Sequence, residues 1–576
     1  MTETTTAGDA RPATSTDGDV ILRVDGLDVS FDTVEGERRH VVKDVGFELR
    51  RGRCIALVGE SGSGKSVTAR SLLGLAGENS VVTARELTLD GETLLGRGDS
   101  WWRRVRGKRV GFILQDALVS LDPLRPVGRE IAEAFRLHAV GTKASREQSV
   151  IDLLEKVGVP EPEVRARQRS GELSGGLRQR ALIASAIALD PEIVIADEPT
   201  TALDVTVQSQ VLDVLEALIA QGSSVILISH DLAVVARLAD EILVMNGGAI
   251  VESGPSDELL ANPQHPYTRQ LINAVPSEHT KGTRLSTTTP PTRTAAALFP
   301  PRTRVDADGS EPLLDVRGVS KSYRGPDRVV RRVVDDVSFQ LSRGETLGIV
   351  GESGSGKSTV ARIALSLVTP DSGDVLFRGG AWTAAGRADQ RAIRRRISVV
   401  YQDPLSSFDP RWRVSRILAD AIRLGDPANA RRVDERVVEL LEMVGLDASV
   451  QTAWPLRLSG GQRQRVAIAR ALATNPEVVV LDEAVSALDV SIQAQILDLL
   501  SDLQAQLGVA YLFISHDLGV IHHMSDRVLV MQNGRSVEQG TADEVFNHPQ
   551  EPYTRALLDS LPRLEYARLH EVARTA

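Results

Sequence analysis

The chain has 576 residues, with 67 Lys and Arg against 77 Asp and Glu for a formal net charge of -10. That is more length than one hydrophobic core supports, and it lacks the basic footprint of a nucleic-acid-binding protein. A single cysteine, Cys54, excludes an intramolecular disulfide and a cysteine-based metal or iron–sulfur cluster within one chain, and no apolar run reaches the ~20 residues of a membrane helix, so any service to a membrane comes from outside the bilayer.

Residues 1–19 are rich in Thr, Ala and Asp, lack the basic start and apolar core of a signal peptide, and read as a disordered tail. Val20 to Phe31 alternates as an early strand does. The apolar run Cys54 to Val58 then leads into Gly-Glu-Ser-Gly-Ser-Gly-Lys-Ser, Gly59 to Ser66, and on into a helix-compatible segment. This is a phosphate-binding loop in its strand–loop–helix context. Gly59, Ser61, Gly62 and Gly64 let the backbone N–H groups point inward as a nest for phosphate oxygens. Lys65 would reach the β and γ phosphates and Ser66 would ligate Mg²⁺. One chance match in a chain this long has a probability on the order of a few per cent; the motif occurs twice.

Val110 to Gln115 is an apolar strand ending in Gln, and Val127 to Val157 carries the i, i+3, i+4 spacing of helices. Leu173-Ser174-Gly175-Gly176 reads as a helix start, with Ser174 as N-cap and glycines that admit an anion close to the backbone. The β-branched run Ile193 to Ala196 predicts a strand buried on both faces, which sets Asp197 and Glu198 at the C-terminal edge of a parallel sheet. There Asp197 suits Mg²⁺ and Glu198 suits the attacking water. Val225 to Asp231 ends in Ser-His-Asp, with His230 placed to sense a γ-phosphate; three residues adjacent in sequence are not a hydrolase triad.

The same order recurs. After a Thr/Pro-rich linker over 277–312, Leu313 to Tyr323 is the early strand, Thr346 to Val350 the apolar run, and Gly351, Ser353, Gly354, Gly356, Lys357 and Ser358 the identical loop. Gln402, the helical stretch Val414 to Val444, Ser459-Gly460-Gly461, Asp482-Glu483 and His516 follow at matching spacings. This is a duplication of a whole domain, over 20–276 and 313–576. His522 and His523 are neighbours on a helix pointing different ways, which disfavours a metal site there.

Phosphate loop, Gln, LSGG, Asp-Glu and His, present twice in order, resemble the ATP-binding subunits of ABC transporters. The resemblance implies an α/β fold of two tandem P-loop NTPase domains, each with a RecA-like core, a β subdomain and a helical signature subdomain. It implies ATP and Mg²⁺ as cofactors, with Mg²⁺ held by Ser66, Gln115 and Asp197 and by Ser358, Gln402 and Asp482. It also implies two working sites that close on ATP and reopen on hydrolysis, each clamped between one repeat's phosphate loop and the other's signature. Phe31 and Tyr323 match the family's adenine-stacking aromatic, Glu198 and Glu483 its water-orienting residue, and Ala202 to Asp204 and Ala487 to Asp489 its inter-subunit loop. Asn262 to Thr268 and His548 to Thr554 resemble the His-Pro-Tyr-Thr tail of the peptide and nickel importer branch, as does Asp116 to Glu130; Glu551 stands in place of the tail histidine and Ala484 in place of the proline matching Pro199. The function implied is ATP-driven import of short peptides, or of nickel, from the cytoplasmic face of the membrane. The implied partners are two integral-membrane permease subunits and an extracytoplasmic solute-binding protein, with no nucleic acid. The rival is a soluble twin-ATPase acting on ribosomes, which would carry a long charged arm between its domains; a linker neither long nor charged enough for such an arm, and the tails, argue against it.

Overall fold

The computed structural model describes residues 19–32, 38–115, 120–201, 203–276, 279, 281–286, 311–325, 328–383, 386–425, 432–486 and 488–561. Nearly all of the expected N-terminal tail, most of the linker, residues 116–119, Ala202 and Ala487 lie outside them. The chain forms two compact units, one of residues up to 199 with 213–229 and 238–259, the other of 200–212, 230–237 and 260 onward.

In the first unit the strands are β1 (Val20–Asp32), β2 (Arg38–Arg50), β3 (Cys54–Val58), β4 (Ser80–Thr83), β5 (Glu86–Leu89), β6 (Glu92–Thr93), β7 (Val110–Ile113), β8 (Ile193–Asp197), β9 (Ser224–Ile228), β10 (Glu241–Asn246) and β11 (Ala249–Pro255). A six-stranded sheet runs β11-β10-β3-β9-β8-β7, parallel except for β11. Every residue of β3, β8 and β9 is buried, as the β-branched runs require of strands covered on both faces. An antiparallel sheet, β2-β1-β5-β6 with β4 also on β1, packs its apolar side on the first sheet. Leu27, Val29 and Val45 meet Ile55, Leu57 and Ile226 there, with Ala69 of the Lys65–Ser71 helix in the same core. The phosphate loop is thereby held at both ends by rigid elements.

The stretch expected to be helical from Val127 to Val157 is two helices, Val127–Leu137 and Lys143–Lys156. They part where Ala139 and Gly141 take φ of 55° and 68°, and Thr142 caps the second through Ser145. Buried Arg180 of the Gly175–Ala186 helix donates to the Gly158 carbonyl at 2.6 Å, fastening the signature helix to this pair.

The second unit repeats the plan with β12 (Leu314–Arg324), β13 (Val330–Leu341), β14 (Thr346–Val350), β15 (Ser372–Phe377), β16 (Gly380–Ala381), β17 (Ile397–Val400), β18 (Val478–Asp482), β19 (Ala510–Ile514), β20 (Arg527–Gln532) and β21 (Arg535–Thr541). Its sheets, β17-β18-β19-β14-β20-β21 and β13-β12-β15-β16, keep the strand order of the first unit. Arg465 repeats Arg180, donating to the Val444 carbonyl at 2.7 Å.

The beginning of the linker departs from what its composition predicts. Leu285 is 1% exposed within the second unit's core. The buried Asp498 carboxylate, on the Val490–Leu507 helix, accepts the Leu285 N–H (3.1 Å), the Ser286 N–H (2.9 Å) and the Ser286 hydroxyl (2.5 Å). Lys281 and Arg284 pair with Asp526 and Asp502. One leucine in a polar run carries no periodicity, so the sequence gives no sign that this segment is packed. Asp498→Ala strands two N–H groups and a hydroxyl, and we expect it to cost about 2–3 kcal/mol in urea unfolding, against less than about 1 kcal/mol for Asp502→Ala at the exposed pair.

The two tails differ as their sequences do. His265 caps the Pro266–Asn273 helix, its Nδ1 accepting the Tyr267 N–H at 3.2 Å. Glu551 precedes the Pro552–Asp559 helix with no side-chain cap. His265→Ala should lower stability by about 1 kcal/mol in the same assay, and Glu551→Ala should leave it unchanged.

Candidate nucleotide sites

Each phosphate loop leaves the carboxyl end of a central parallel strand, β3 or β14, and enters a helix at its lysine. Gly59 has φ 148° and Gly351 φ 146°, and a Cβ at either would lie 2.2 or 2.1 Å from the backbone oxygen of Met245 or Met531. Only glycine fits where the loop presses on the neighbouring strand. Gly62 and Gly354 also have positive φ but face open space.

In the first unit Lys65 is 5% exposed and donates to the Gly59 and Glu60 carbonyls at 2.6 and 3.0 Å, curling back over its own loop. Ser66 donates to Asp197 Oδ1 at 2.9 Å. Asp197 is fully buried, and its Oδ2 has no hydrogen-bond partner. A buried, unmatched carboxylate oxygen is costly, and one lying beside a serine hydroxyl is the oxygen donor set that Mg²⁺ takes; the residues present fit that ion. Gln115 lies two residues beyond the end of β7 and donates to Glu198 Oε2 at 2.7 Å. Glu198 is held at φ 49°, its N–H on the Ile228 carbonyl, an uncommon backbone for a non-glycine residue. His230, which groups with the second unit, follows β9 by two residues.

In the second unit Lys357 donates to Gly351 and Glu352 carbonyls at 2.7 and 2.8 Å. Ser358 reaches Asp482 at 3.5 Å, and Glu483 repeats the strained backbone at φ 50° with its N–H on Ile514. His516 Nδ1 lies 3.5 Å from Glu483 Oε1, whereas Gln402 donates to Ser486 at 3.4 Å rather than to Glu483.

Burial raises the Asp197 and Asp482 carboxyls, with the neighbouring glutamate adding to the shift. Burial likewise lowers the Lys357 ammonium, against the pull of Glu483, Asp204, Asp482 and Glu352. The His516 hydrogen bond holds Glu483 low. Burial alone would depress His516, but that bond and the carboxylates of Glu483 and Asp517 outweigh it and raise the imidazole. Glu483 is therefore ionised at neutral pH, the form able to accept a proton.

Ser174 and Ser459 cap their helices as the sequence predicts, accepting from Leu177 N and Gln462 N, and Gln462 closes a capping box that Leu177 cannot. Gly175, Gly176, Gly460 and Gly461 form the first turns. Phe31 is half-buried against the first unit's core, while Tyr323 is 40% exposed with the Lys321 ammonium 5.9 Å from its ring centre. His522 lies against the Phe546 ring, and His523 is buried on the His279 carbonyl.

Sequence reasoning missed two residues. Arg470 sits over the Phe408 ring and donates to the Ser407 carbonyl and hydroxyl, joining the segment after Gln402 to the signature helix. Tyr553 contacts the second phosphate loop. Neither lies near its partner in the chain, so spacing carried no signal for them.

Two such loops, each beside an aspartate that ends a buried strand and a glutamate with positive φ at the carboxyl edge of a parallel sheet, define a protein of two P-loop NTPase domains. The profile described as ABC transporter matches residues 42–201 and 334–486, and that of the oligopeptide/dipeptide transporter C-terminal region matches 251–300 and 537–575. The chain is 42% identical to the oligopeptide transport ATP-binding protein OppD of Mycobacterium bovis over 95% of this chain and 99% of that protein. It is 42% identical to the glutathione import ATP-binding protein GsiA of Salmonella typhimurium over 94% and 89%, and 41% identical to that of Escherichia coli over 96% and 91%. The chain belongs to the ABC transporter family, and its two repeats are ATP-binding domains of that family.

Proposed function

We propose that this chain is the ATPase subunit of an importer of short peptides, glutathione-like tripeptides included, with nickel as the second cargo to test. The observation that carries the reading is the pairing of each ATPase repeat with its own copy of the oligopeptide/dipeptide transporter C-terminal region. Relatives named for oligopeptide transport and for glutathione import match along nearly the whole chain, and nothing in these matches favours a ribosome-acting ATPase. Among the described residues no helix is long and apolar enough to cross a membrane. In this reading separate membrane permease subunits, fed by a solute-binding protein, form the channel, with this chain at their cytoplasmic face.

At each site Lys65 or Lys357 turns from the loop carbonyls to the β and γ phosphates, and the loop N–H groups hold the phosphate oxygens. Ser66 with Asp197, and Ser358 with Asp482, would hold Mg²⁺, aided by Gln115 and Gln402, and the chemistry supplied there would be neutralisation of charge on the phosphates. Glu198 and Glu483 align water and take its proton, and His230 and His516 sense the γ-phosphate. Ser174 to Gly176 and Ser459 to Gly461 supply further N–H contacts, and Phe31 and Tyr323 stack on adenine.

The test is uptake of labelled dipeptides, oligopeptides, glutathione and nickel by a strain lacking the gene, complemented with the wild type or with Glu198→Gln/Glu483→Gln. Loss of one cargo restored by the wild type alone is expected. No defect for any cargo, with the tagged chain co-purifying with ribosomes instead of membrane proteins, overturns the reading.

A further inference from the structure

Within the second unit, the front edge of the phosphate loop is gripped by groups remote in sequence. The Glu352 N–H donates to the Tyr553 hydroxyl at 3.2 Å. The Glu352 carbonyl accepts Lys357 Nζ at 2.8 Å, and its Oε1 accepts the Thr206 hydroxyl at 2.8 Å. The next N–H, of Ser353, donates to Asp204 Oδ2 at 3.4 Å. Tyr553 stands on the Pro552–Asp559 helix, anchored beneath by Leu557 and Leu558, which are 4% and 6% exposed. Burial pushes the Tyr553 phenol up to about 12, with Glu352 and Asp204 adding to the shift, so it is a neutral hydroxyl at physiological pH.

We propose that Tyr553 is a positioning residue for the second ATP site, and that the C-terminal helix sets the affinity of that site through it. The phenol hydroxyl fixes the Gly351–Glu352 peptide, whose carbonyl, that of Gly351, accepts Lys357 Nζ at 2.7 Å. A shift of the helix therefore moves the lysine that must meet the phosphates. The inference rests on the nucleotide-site reading above.

The experiment uses the full chain carrying Lys65→Ala, which confines tight binding to the second site, and fluorescent mant-ATP with Mg²⁺ as the probe. Tyr553→Phe keeps the ring and removes the acceptor. It should weaken binding about three- to ten-fold, the value of one hydrogen bond, with the thermal midpoint unmoved. With Lys65 intact it should raise KM for ATP while kcat holds. Leu557→Ala, which loosens the helix without touching the loop, should weaken binding when Tyr553 is present and add little in Tyr553→Phe, because the two changes share one path. Unchanged affinity in Tyr553→Phe, or additive effects in the double variant, overturns the inference alone. Absence of mant-ATP binding with Tyr553 present overturns the nucleotide-site reading and the inference with it.

Discussion

Glu198→Gln combined with Glu483→Gln is expected to leave ATP binding within about two-fold of wild type and to reduce steady-state phosphate release by about 10²–10⁴, the range of a lost general base. Glutamine matches glutamate in shape, and the backbone of both positions is set by N–H bonds to Ile228 and Ile514, so the fold should be untouched. What disappears is a carboxylate, one bonded by Gln115 and the other held ionised beside His516. Phosphate release and mant-ATP binding measured on one preparation separate the two effects. Hydrolysis at the wild-type rate would remove Glu198 and Glu483 from the chemistry.

Gly351→Ala is expected to be the most damaging single change to the second unit. Two costs combine: a φ of 146°, rarely adopted by L residues, and a Cβ 2.1 Å from the Met531 backbone oxygen, which cannot swing aside. We expect a loss above about 3 kcal/mol and no ATP binding at that site. Gly354→Ala shares a positive φ of 84° but meets open space, so it should cost nearer ~1 kcal/mol. Equal costs in urea unfolding would mean that φ alone, and not the contact with β20, demands glycine. Gly59→Ala should behave in the first unit as Gly351→Ala does in the second, because Met245 stands where Met531 does.

Much of this molecule is legible before any coordinates. Strand β3 at Cys54–Val58 and strand β14 at Thr346–Val350 fall where their apolar runs predict, because a strand covered on both faces is built from a near-continuous apolar run. Ser174 and Ser459 cap helices because a serine before two glycines offers its oxygen to N–H groups that have no helical partner. The neighbours within each loop, and the duplication itself, are local properties of the sequence.

Contacts between distant segments are not. Leu285 is buried because Asp498, far along the chain, collects the N–H groups around it; composition placed that stretch in an extended linker. Gln402 turns to Ser486 while Gln115 turns to Glu198, although each stands two residues beyond the matching strand, β17 or β7. Tyr553 reaches Glu352 only because the C-terminal helix packs against the second core. The sequence by itself determined the two ATP-binding repeats, since phosphate nests, caps and buried strands depend on residues within one turn or one strand of each other. The tertiary structure alone decided that the C-terminal tail grips the second phosphate loop, since such contacts depend on where packing brings segments that share no periodicity.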